Sequence, residues 1–143
     1  MIAYADTGFL VSLYGQDGHS PAATALVKSK PILMLTPLGE AEFTNAIELR
    51  VFRKEWTKWE ARSVHQLFLD HCAAGLFRSE ALSSDVWDQA TALARRYSAK
   101  FGSRTLDILH VASALILKPD AFYTFDKRQR KLAEAEQLRV LPR

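Results

Sequence analysis

Cysteine is nearly absent: Cys72 stands alone among 143 residues, which rules out an intrachain disulfide and any zinc site built on cysteine pairs within this chain. A reducing compartment, the cytoplasm, is therefore expected. Long hydrophobic runs are also missing. The longest apolar stretch, Ile108 to Leu117, is broken by His110 and Ser113, far short of the ~20 residues that span a bilayer. The start, Met1-Ile2-Ala3-Tyr4-Ala5-Asp6, lacks the basic and uninterrupted apolar regions of a secretory signal and reads as the first structural element, so no membrane association is expected. There is no low-complexity stretch, repeat or Pro/Gly-rich linker to divide the chain, which is expected to form one domain over residues 1–143.

A strong charge of one sign is lacking as well. The net charge of +3 is too small to argue for nucleic acid by itself. Its distribution says more: Met1 to Glu48 holds five acids against two lysines, whereas Ala121 to Arg143 holds six bases against three acids. What the chain does have is 48% apolar residues, enough for a continuous core.

Three short apolar runs, Ile2 to Ala5, Ile32 to Leu35 and Ala121 to Phe125, read as buried strands, each ending at a polar residue: Asp6, Thr36 and Asp126. Leu138 to Leu141 is a fourth. Thr36-Pro37 is a helix start, because threonine caps a free amide and proline is preset for the first helical position; the helix should run to about Arg53. Helical spacing recurs over Val86 to Tyr97 and over Leu106 to Leu117. A second helix pair is expected after Glu55, with Trp56, Trp59, Leu67 and Phe68 as core rather than partner surface. Alternating strands and helices predict an α/β chain: a three-layer α/β/α sandwich around a mainly parallel sheet.

Open parallel sheets place function beyond the C-terminal strand ends, where Asp6 and Asp126 both stand. Asp107 opens an otherwise apolar helix, and Glu42 lies early in the helix after the second strand, so four acids can converge on one crevice. Such convergence raises carboxyl pKa values unless a cation neutralises it, and all-oxygen ligands suit Mg²⁺ or Mn²⁺. Each Asp can equally serve as an ordinary helix cap. Helical spacing does not decide among Glu40, Glu42 and Glu48.

The segment Leu106-Asp107-Ile108-Leu109-His110-Val111-Ala112-Ser113-Ala114-Leu115, with Phe122-Tyr123-Thr124-Phe125-Asp126 and Leu132-Ala133, resembles the C-terminal half of PIN-domain ribonucleases. Tyr4-Ala5-Asp6-Thr7 and Glu42-Phe43-Thr44-Asn45-Ala46-Ile47 are similar to the family's other two acidic motifs, in the same order. The resemblance picks Glu42 over Glu40, through the acid three residues before Asn-Ala. It implies Asp6, Glu42, Asp107 and Asp126 as catalytic and metal-site acids for Mg²⁺ or Mn²⁺, with Thr124 as a polar neighbour expected to meet substrate. Family members of this length are mostly VapC-type toxins, which implies an RNA substrate, a cognate antitoxin and a homodimer. The sequence departs from the family pattern in that basic residues, rather than another acid, follow Asp126.

The expected chemistry is hydrolysis of RNA phosphodiesters by a metal-activated water, leaving a 5′-phosphate and a 3′-hydroxyl. Phosphate-binding charge is expected from Arg104, Lys127 and Arg128, with Arg130 and Lys131 behind them. His110, one turn from Asp107, reads as a packed core residue, and His19, His65 and His71 show no ligand spacing. An aspartyl-phosphate phosphatase would carry a second Asp where this chain has Gly8, and a nucleotide-triphosphate enzyme would need a Gly-x-x-x-x-Gly-Lys loop that is missing. The competing reading is a degenerate PIN domain that binds RNA or protein without cutting.

Overall fold

The computed structural model describes residues 1–143. Strand β1 (Ile2–Ala5) leads into helices α1 (Thr7–Tyr14) and α2 (Ser20–Val27), then β2 (Ile32–Leu35), α3 (Pro37–Phe52) and α4 (Lys58–Ala73). Strand β3 (Phe77–Ser79) is followed by α5 (Asp85–Phe101), α6 (Thr105–Leu117), β4 (Ala121–Tyr123), α7 (Lys127–Ala135) and β5 (Val140–Leu141). All neighbouring strands pair in parallel, in the order β3-β2-β1-β4-β5. The α/β/α sandwich expected from the alternation is the observed architecture. No helix is long and apolar enough to cross a membrane.

Alternation along the strands sorts the core into two halves. Ala3, Ala5, Leu33, Leu35, Phe77 and Tyr123 face one side and pack with Phe9, Phe43, Ile47 and Phe68 of α1, α3 and α4. Tyr4, Met34, Phe122 and Val140 face the other and meet Leu93, Ile108, Val111 and Leu132 of α5, α6 and α7. Both faces are covered, which explains why the strands read as unbroken apolar runs rather than alternating ones.

Local signals set the helix starts. Thr36 caps α3, its hydroxyl accepting from the Gly39 amide at 3.1 Å. In α4 the Thr57 hydroxyl accepts from the Glu60 amide at 3.2 Å while the Glu60 carboxylate accepts from the Thr57 amide at 2.6 Å, a reciprocal capping box. Thr57→Ala is expected to cost about 1 kcal/mol, read as a lower midpoint in urea with an unchanged slope. Gly102 ends α5 in the left-handed region at φ 64, and this turn delivers the chain into Arg104 and Asp107.

Several boundaries differ from the sequence reading. β4 stops at Tyr123, and β5 covers only Val140–Leu141. The segment after Glu55 forms the single helix α4, not a pair. Of its residues read as core, Phe68 is buried, but Trp59 is 72% exposed and Leu67 46%, because the helix has one covered face and they lie on the other. Trp56, just before it, is half-buried, with the Arg50 guanidinium over its ring at 5.3 Å.

Candidate active site

The strand order reverses beside β1: the chain steps from β1 outward through β2 and β3, then crosses back to β4 on the other side. The crevice at the C-terminal ends of β1 and β4 is the switch point where open α/β sheets bind ligands. Asp6 follows β1 directly, its amide donating to the Tyr123 carbonyl of β4 at 3.0 Å. Asp126 lies three residues beyond the end of β4. A cleft of about 170 Å³ opens there, lined by Asp6, Thr7, Gly8, Glu42, Arg104, Leu106, Asp107, His110, Asp126 and Gln129. All four acids expected from the sequence meet in this one cleft. Larger concavities exist around α4, but they contain none of these acids.

Capping and site membership coexist in the same carboxylates. Oδ1 of Asp6 accepts from the Phe9 amide at 2.7 Å, and Oδ1 of Asp126 accepts from the Arg128 and Gln129 amides at 2.8 and 2.9 Å. Each cap uses one oxygen and fixes the rotamer, leaving the second oxygen for other partners. Asp107 stands in the first turn of α6, where Oδ2 accepts from the backbone amide of Arg104 at 3.1 Å and from its Nε at 3.2 Å. The other arm of the Arg104 guanidinium approaches Asp126 Oδ2 at 3.7 Å, so one cation spans two of the acids.

Glu42 reaches the cleft because Phe43 and Ile47 turn the adjoining face of α3 into the core, leaving Glu40 and Glu48 outside. Glu48 pairs with His65 instead, at 3.0 Å. Oε1 of Glu42 accepts from the Thr7 hydroxyl at 2.9 Å and from His110 Nε2 in a close contact. On the opposite side of the ring, His110 Nδ1 lies 2.8 Å from the Tyr4 hydroxyl. His110 is thus buried, as expected for a core residue, yet its ring also borders the cleft.

The electrostatics separate two of the acids. Burial pushes the Asp6 carboxyl up to about 6 against the opposing pull of Thr124, the Phe9 amide and His110, and nearby Asp126 adds to the rise. Burial also acts upward on Glu42, but the hydrogen bonds from His110 and Thr7, with the positive charge of Arg104, outweigh it and hold this carboxyl below its usual range.

The residues expected to meet substrate divide. Arg104 lines the cleft with 62% of its side chain exposed. Lys127 and Arg128 are exposed at the start of α7 but do not line it. Thr124 is fully buried, so it has no surface to offer a ligand here; its hydroxyl accepts from the Asp126 amide at 3.0 Å and favours the ionised form of Asp6. Arg130 is tied to the carbonyls of Thr124 and Pro142 at 3.2 and 2.7 Å. Sequence reasoning missed Thr7 and Gln129 as lining residues. Thr7 adjoins Asp6, and Gln129 stands one turn from the Asp126 cap, so both follow from the caps once these are known.

Three carboxylates directed at one point would form a ready cation cage, and no such cage of three or more acid, histidine or cysteine side chains is closed here. The donor set nevertheless fits a hard divalent ion: four carboxylates line the cleft, and Glu42 Oε2 carries no hydrogen bond from the protein.

Comparison with known proteins agrees with this architecture. The fold is similar to that of Mycobacterium tuberculosis VapC20, described as a Sarcin-Ricin loop cleaving toxin, with TM-score 0.68 and 19% identity over 90% of this chain and 93% of that one. It is also similar to FitAcB from Neisseria gonorrhoeae, with TM-score 0.70 and 18% identity over 99% and 97% of the two chains. For VapBC2 from Rickettsia felis, bound to a DNA fragment from its promoter, the values are 0.67 and 15% over 98% and 97%. No curated protein matches the sequence. The model of the PIN domain matches residues 3–135, from the first strand through the last helix and across every acid of the cleft, and the chain belongs to the PIN-domain family.

Proposed function

We propose that this protein is a Mg²⁺- or Mn²⁺-dependent endoribonuclease that serves as the toxin of a toxin–antitoxin pair. The observation that carries this reading is the meeting of Asp6, Glu42, Asp107 and Asp126 in one cleft at the switch point of the sheet. These four acids would hold the ion, which when bound supplies an activated water and stabilises charge on the leaving oxygen. Around it, the chain's own groups have separable tasks. The buried Asp6 and the hydrogen-bonded Glu42 offer carboxylates of fixed orientation. Arg104 stands at the exposed side of the cleft, able to exchange its carboxylate partners for a substrate phosphate, and Lys127 and Arg128 extend positive charge beyond it.

The toxin role rests on the resemblance of most of the chain to solved structures described as a toxin and as a toxin–antitoxin complex. It implies an antitoxin partner and a homodimer. The test incubates purified protein with a mixed RNA pool and Mg²⁺ or Mn²⁺, with EDTA as control, and determines the product ends. Cuts that need the metal and leave 5′-phosphate and 3′-hydroxyl ends are expected. Products ending in a 2′,3′-cyclic phosphate would contradict hydrolysis by water.

A further inference from the structure

His110 is the one histidine in the cleft, and burial alone does not explain its partners. Its ring is 3% exposed, yet both nitrogens are engaged: Nδ1 with the Tyr4 hydroxyl at 2.8 Å and Nε2 with Glu42 Oε1. A carboxylate can only accept, so the proton on this ring stands on Nε2, and Nδ1 in turn accepts from the Tyr4 hydroxyl. Tyr4 is itself fixed. Its ring stacks on Phe122 with centroids 5.5 Å apart, and it is 1% exposed. A chain of hydrogen bonds thus runs from the sheet through α6 to Glu42 on α3, joining three separate elements at one carboxylate oxygen.

We propose that Tyr4 and His110 are positioning residues for Glu42: the tyrosine sets the histidine tautomer, and the Nε2 proton, with the Thr7 hydroxyl, anchors Oε1 so that Oε2 is the oxygen presented to the cleft. This deepens the nuclease reading and rests on it for the ion that Oε2 would meet. Tyr4 itself does not line the cleft, and the hydrogen bond of its hydroxyl to His110 Nδ1 is what connects it to the site. Partners of this kind, one bond removed from a metal ligand, typically change affinity or activity by about 10- to 100-fold.

The test uses Tyr4→Phe, which removes one hydroxyl and keeps the stacked ring, and ¹⁵N NMR of the histidine ring in the full chain. Wild type should show His110 protonated on Nε2; protonation on Nδ1 alone overturns the proposal. Tyr4→Phe should disturb that tautomer, weaken Mn²⁺ binding about tenfold and lower kcat more than it raises KM. In a Glu42→Gln background the same change should have no further effect on Mn²⁺ binding, because the path ends at Glu42. An equal loss in both backgrounds, or none in either, overturns the proposal. His110→Gln, which keeps a donor near the Nε2 position, should recover part of the Mn²⁺ affinity lost in His110→Ala. If wild type neither cuts RNA nor binds Mn²⁺, the nuclease reading falls while the relay is still decided. A shift of both the His110 tautomer and the Glu42 carboxyl ¹³C resonance in Tyr4→Phe then supports it, and no change in either overturns it.

Discussion

Asp6→Asn is expected to lose metal-dependent cleavage by about 10³-fold or more, about 4 kcal/mol in the barrier, while making the metal-free protein more stable at neutral pH. Both effects follow from where Asp6 sits. Its side chain is buried in the cleft, capped onto the Phe9 amide, with Asp126 nearby. Asparagine keeps the oxygen that accepts from Phe9 and removes the charge that an ion would need. The carboxyl is raised from 3.8 to about 6 by burial, so the folded chain holds a proton there through a range where the unfolded chain has released it. Ionised Asp6 therefore penalises the metal-free fold. In wild type relative to the Asp6→Asn variant, this penalty is absent below about pH 4, grows as pH rises from about 4 to 6 and is complete above it, by about 3 kcal/mol at most. Denaturant unfolding of both proteins in EDTA at acid and neutral pH checks this. The stability gap in favour of the variant should widen with pH; a variant less stable than wild type at neutral pH would contradict a buried, ionised Asp6.

Adding Mg²⁺ or Mn²⁺ to wild type should reverse that penalty. A ligand at 100 times its dissociation constant stabilises the fold by about 2.7 kcal/mol, and the ion requires its carboxylates ionised. The gain should therefore be full above about pH 6 and shrink as Asp6 takes up its proton below it. Thermal unfolding with and without the ion, across that range, gives the measurement. In Asp6→Asn the gain should be largely lost. A stabilisation of the same size at all pH values and in both proteins would place the ion elsewhere on the surface.

Much of this site was legible in the sequence because its acids mark structural joints. Asp6 and Asp126 cap helices that leave strands, and Asp107 occupies the first turn of α6, so motif and chain geometry coincide. Glu42 was different. Glu40, Glu42 and Glu48 share one helix, and only family resemblance chose among them before the packing of Phe43 and Ile47 gave the physical reason. Helices α1 and α2 and strand β3 escaped notice: each is eight residues or fewer, too short for periodicity to speak. The α4 helix misled in the other direction, since its Trp59 is apolar by type but exposed by position. Thr124 and His110 depend on which hydroxyl and which ring nitrogen meet across elements far apart in sequence, and no local pattern carries that information.

The most direct test of the account is an anomalous difference map from crystals of the wild-type protein equilibrated with Mn²⁺. A peak is expected in the cleft between Asp6, Glu42 and Asp107, with Arg104 drawn off at least one of its two carboxylates. A map with no peak in that cleft at saturating Mn²⁺ would contradict it.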